Sequence, residues 1–72
     1  MTKAFHKGDR VKWSWGDGEA EGEVEEVHKD RVERTLKGSK IVRNGTKDAP
    51  AYLIVQDGGD KVLKLHTEVS AA

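Results

Sequence analysis

The chain offers little of what catalysis or metal binding requires. Its histidines are His6, His28 and His66, about 20 and 40 residues apart, and none has the close spacing of a zinc-ligand pair. There is no cysteine, so neither a thiolate ligand nor a disulfide is available. No serine stands in a nucleophile motif, and no glycine-rich phosphate loop is present. Asp57 and Asp60 could pair as carboxylates, but Gly58-Gly59 between them marks an exposed turn. The sequence predicts a protein that is not an enzyme and holds no cofactor or metal.

Binding chemistry is better represented. The aromatic residues are Phe5, Trp13, Trp15 and Tyr52. A cage for a methylated cation needs several aromatic faces around the charge, and the second half of the chain supplies Tyr52 alone. Trp13 reads as core. Trp15 adjoins a glycine turn, where side chains reach the rim. The candidate interaction surface is Trp15 and Asp17 at the first turn, Asp48 in the 44–50 loop, and Tyr52. Whether Trp15 and Tyr52 lie in the core or on the surface is open at this level.

Charge marks two further regions. Glu19, Glu21, Glu23, Glu25 and Glu26 form the densest run; on a strand the first three line one face, as a solvated surface or as a contact for a basic partner. Lys37, Lys40, Arg43 and Lys47 form the candidate basic patch, able to track phosphates but without an interleaved aromatic on which bases could stack. The 13 basic and 13 acidic residues balance, which excludes a general attraction for nucleic acid or anionic lipid.

These residues must be positioned by short strands. Arg10 to Trp15 alternates, with Val11, Trp13 and Trp15 on one side. Gly16-Asp17-Gly18 is a tight turn. Ala20, Gly22 and Val24 then alternate on a partner strand, small residues opposite large ones, and Val27 falls out of phase unless a β-bulge lies near Glu25-Glu26. Gly22 to Lys37 also admits a helix, with Val24, Val27, Val32 and Leu36 on one face and i,i+4 pairs Glu25–Lys29 and Asp30–Arg34. The β-branched valines and the hairpin partner needed by Arg10–Trp15 favour strands. Further strands are expected over Arg31–Leu36, Lys40–Arg43, Ala51–Gln56 and Lys61–Leu65. The unbroken run Tyr52-Leu53-Ile54-Val55 implies that both faces of its strand are covered. Asn44-Gly45-Thr46 reads as a turn, and Asp57-Gly58-Gly59-Asp60 as a hairpin turn. Phe5 plugs the core, a single turn over His66–Val69 closes one end with Val69 inward, and Ser70-Ala71-Ala72 frays. The result is a single all-β domain of 72 residues, a small closed or nearly closed barrel of about five short strands.

The motifs Gly8-Asp9-Arg10-Val11-Lys12-Trp13 and Gly22-Glu23-Val24 with Val27-His28 resemble the opening of the hypervirulence-associated protein TUDOR domain family. Asp48-Ala49-Pro50-Ala51-Tyr52-Leu53-Ile54-Val55, Val62-Leu63-Lys64 and His66-Thr67-Glu68-Val69 resemble its second half. The resemblance spans nearly the whole chain and implies an SH3-like or Tudor-like barrel. It implies a fold more than an activity, because this barrel class serves peptide, methylated-residue and nucleic-acid binding alike.

The functional expectation is a small interaction module for a peptide or protein segment, engaged through loops or an uncovered strand edge. Nucleic-acid binding through Lys37, Lys40, Arg43 and Lys47 is the alternative, and self-association as a structural protein is the third. The expected state is a monomer or weak dimer. No apolar run is long enough to span a membrane and none resembles a signal peptide, so a cytoplasmic location is the default.

Overall fold

The computed structural model describes residues 4–72. It contains β1 (Arg10–Trp15), β2 (Gly18–His28), β3 (Arg31–Leu36), β4 (Ser39–Asn44), β5 (Ala51–Gln56), β6 (Lys61–Leu65), a 3₁₀ turn at His66–Glu68, and β7 (Ser70–Ala71). Five strands form one antiparallel sheet in the order β6-β5-β2-β1-β7, and β3-β4 form a separate hairpin. The 3₁₀ turn joins the two edge strands of the larger sheet. The fold is all-β, as the alternating pattern requires. There is no α-helix among the described residues, so the helical alternative over residues 22–37 is excluded. Among them, likewise, no helix is long and apolar enough to cross a membrane.

Complementary side-chain size sets the β1–β2 register. Trp13 faces Ala20, Val11 faces Gly22, and Trp15 faces Gly18. Gly22 is small because the chain is close: a Cβ there would lie 2.5 Å from the Val55 carbonyl oxygen and 2.8 Å from Cγ2 of Ile54. Further along β2 the ladder with β5 slips between Val24 and Glu26. This bulge returns Val27 to the inward side, opposite Tyr52.

The β5 strand separates two apolar clusters. Tyr52 and Ile54 join Val11, Trp13 and Val24 within the curled sheet, with Phe5, Val62 and Val69 packed around them. Ala51 and Leu53 face the other way, against Leu63 and Val32, and the β3-β4 hairpin covers them with Leu36 and Ile41. Period-two alternation on a strand covered on both faces explains the unbroken apolar run. Each large side chain fully buried here contributes roughly 1.5–3 kcal/mol.

The all-β, Tudor-like domain holds: among the described residues seven strands lie in two antiparallel sheets, five of them in the curled sheet, and the hairpin over residues 31–44 packs on its outside. Two expectations are corrected. Ser70 and Ala71 do not fray: they pair with Lys12 and Val11. Tyr52 is not at the surface, and its ring is fully buried.

Candidate binding face

Trp15 is the last residue of β1 and shares a side with Val11 and Trp13, yet 73% of it is exposed. The cause is local. Its partner Gly18 has no side chain, and the strand pair ends there in a turn, beyond the reach of the core. Trp15 therefore stands over a groove of about 400 Å³ floored by Trp13, Ala20 and Val62, with Lys37 and Lys64 at its rim. A second cavity of about 230 Å³ lies between β6 and the hairpin, floored by Leu36, Ile41 and Leu63. The two adjoin around β6, since Lys37, Gln56, Asp60, Val62 and Lys64 line both.

Ion pairs tie down much of the charge. Lys37 reaches Asp60 at 3.1 Å, Lys61 reaches Glu25 at 3.3 Å, Lys40 reaches Glu33 at 3.5 Å, and Arg43 reaches Glu68 at 3.7 Å. Lys64 makes no ion pair among the described residues. The acidic stripe is crossed in the same way: Arg10 lies 3.8 Å from Glu21, and Lys12 lies 3.9 Å from Glu19. These are exposed pairs, each worth about 0–1 kcal/mol. They show the stripe to be a solvated face of mixed sign.

A tighter cluster fixes the root of the hairpin. One Glu26 oxygen meets His28 Nε2 and Arg34 Nη2, each at 2.7 Å. Those hydrogen bonds, from His28 first and then Arg34, hold the Glu26 carboxyl below the usual glutamate range. The cluster carries one carboxylate, and among the described residues no group of three or more metal-ligating side chains converges.

The candidate residues are distributed unevenly over this geometry. Trp15 and Lys37 meet in one groove, and Arg43 lines the adjoining cavity. Asp17 is exposed in the turn beside Trp15, whereas Asp48 and Lys47 are exposed in the 44–50 loop and line neither cavity. Lys40 and Arg43 fall on opposite faces of β4, so the basic patch is not one surface. Tyr52 serves the interior: its hydroxyl accepts the Phe5 backbone N–H at 3.0 Å and contacts His66 Nδ1 at 2.8 Å. Burial pushes its phenol pKa up. Lys64 and Val62 lie outside the residues the sequence points to. Alternation along Lys61–Leu65 places them side by side, but nothing in the sequence indicates that their face meets Trp15.

No curated protein and no solved structure matches the chain. The model of the hypervirulence associated proteins TUDOR domain matches residues 8–69, from the turn before β1 to the residue before β7. That match covers the curled sheet and the hairpin together, and the chain belongs to this Tudor-domain family.

Proposed function

We propose that the protein is a non-catalytic interaction module that binds a segment of a partner protein at the face around Trp15. The observation that carries this reading is the exposed Trp15 over a groove with an apolar floor and a charged rim. Exposed tryptophans over such floors act as anchors at interfaces, where burial of the ring supplies most of the affinity. The Tudor-domain family, whose fold class serves binding, agrees with this. Nucleic acid is less well supported: Lys37, Lys40 and Arg43 each have a carboxylate nearby, and Lys40 and Arg43 point to different sides.

The test is selection of binders from a displayed random peptide library, followed by tryptophan fluorescence titration. Trp15→Ala is expected to reduce the affinity of selected peptides by about tenfold or more. Binders indifferent to Trp15→Ala contradict the proposal. So does salt-sensitive binding of an oligothymidine in their place.

A further inference from the structure

We propose that the outer edge of β6 is a docking strand for an extended acidic segment of a partner protein, a deepening that rests on the Trp15 face being a binding surface. In an antiparallel ladder, residues alternate between pairs that exchange hydrogen bonds and pairs that do not. Two bonds bracket the β5-β6 ladder and fix its phase: Gln56 N–H donates to the Asp60 carbonyl at 2.7 Å, and His66 N–H donates to the Pro50 carbonyl at 2.8 Å. Stepping inward through the register from either bond gives Ile54–Val62 and Tyr52–Lys64 as the bonded pairs. The N–H and C=O groups of Lys61, Leu63 and Leu65 therefore point away from β5.

Glu68 closes one end of this edge, its carboxylate accepting the Leu65 N–H at 2.9 Å. The groups of Lys61 and Leu63 have no partner among the described residues, and both residues line the 230 Å³ cavity. The hairpin edges are treated differently. In the facing pair Glu33 and Val42, each carbonyl accepts the guanidinium of the arginine that follows it, Arg34 at 2.8 Å and Arg43 at 2.9 Å. Such caps blunt an edge against strand addition. Among the described residues no side chain caps Lys61 or Leu63 in this way.

A strand added here would send alternate side chains to opposite sides of β6. One set enters the apolar cleft of Leu36, Ile41 and Leu63. The other meets the Trp15 groove, where Lys37 and Lys64 form the rim. Lys37, Arg43, Lys61 and Lys64 line the two cavities, against Asp60 as the acid. Three of these cations have a carboxylate nearby in exposed pairs, which exchange partners at little cost. The complementary ligand alternates acidic with apolar residues, its main chain bonding to Lys61 and Leu63.

The probe is an end-capped peptide of alternating glutamate and valine, about nine residues long, compared with its lysine–valine counterpart and with oligothymidine. Lys61→Pro removes an outward N–H at the first residue of an edge strand, where proline is tolerated; Lys61→Gln removes the charge alone. The glutamate–valine peptide is expected to bind, with Lys61→Gln weakening it by about threefold and Lys61→Pro by roughly tenfold or more. On binding, the Lys61 and Leu63 amides of the unaltered protein should become protected from hydrogen exchange. That readout holds even if Lys61→Pro fails to fold. Equal binding by the two Lys61 variants, unchanged exchange at those amides, preference for the lysine–valine peptide, or binding of oligothymidine alone each overturns the proposal. Loss of peptide binding in Trp15→Ala without protection at Lys61 and Leu63 removes the edge and leaves the Trp15 face standing.

Discussion

The Tyr52 hydroxyl and His66 Nδ1 lie 2.8 Å apart, and the same hydroxyl accepts the Phe5 N–H at 3.0 Å. A hydroxyl that accepts from a backbone amide keeps its own proton and a second lone pair, so the same oxygen can also bond the imidazole. The rings of Phe5, Tyr52 and His66 cluster with centroids 5.4–5.9 Å apart. One buried phenol thus ties the N-terminal segment to the 3₁₀ turn between β6 and β7. Tyr52→Phe keeps the ring and strands both partners, for an expected loss of about 1–3 kcal/mol in urea unfolding. Because burial raises the phenol pKa, the linked stability is full below the unfolded value and is lost as pH rises through the folded one. Phenolate absorbance should therefore appear together with alkaline unfolding and not before it.

Gly22 tests the close packing of β2 on β5. An added Cβ would meet the Val55 carbonyl and Ile54, so the backbones must part. Gly22→Ala is expected to cost about 1–3 kcal/mol, measured by thermal unfolding, whereas Gly18→Ala, with open space around it, should cost much less.

The β3-β4 turn carries strain at its first position. Lys37 has φ of 51° and Gly38 has φ of 77°, the pairing of positive values for which asparagine followed by glycine is preferred. A lysine in the left-handed region costs about 1–2 kcal/mol. Lys37→Asn should raise stability by about 0.5–1 kcal/mol once the exposed Asp60 pair is discounted, a gain visible in the unfolding midpoint. It should also weaken acidic ligands, since Lys37 stands at the groove rim.

Glu26 gives an acid limb to the stability profile. Its pKa is depressed by hydrogen bonds from His28 and Arg34, so its contribution is present above the unfolded glutamate value of about 4.3. That contribution fades as pH falls through the lower folded value. Glu26→Gln should flatten the acid limb and leave the alkaline limb unchanged in denaturant titrations.

Much of the fold was written in local alternation. Trp13 opposite Ala20 and the bulge after Val24 both follow from matching side-chain size and phase along two adjacent strands. The covered faces of β5 were legible in its continuous apolar run. The long-range choices were not. Nothing local says that Val32, Leu36 and Ile41 pack on the outside of the curled sheet, because the same alternation suits a strand within it. Tyr52 looked eligible for the surface because its hydrogen-bond partners, Phe5 and His66, are distant in sequence. Lys64 carries no local signal for the same reason, since Trp15, which lines the same groove, is distant in sequence. The pairing of Ser70 and Ala71 leaves no mark in sequence, because two small residues carry no signal and the backbone makes the bonds.

Amide and indole chemical-shift mapping with the glutamate–valine peptide tests the binding face most directly. The expected outcome is a set of perturbations centred on the Trp15 indole and on Lys37, Val62 and Lys64, saturating together. Perturbations confined to the 44–50 loop and Lys40, with the Trp15 indole unmoved, would contradict it.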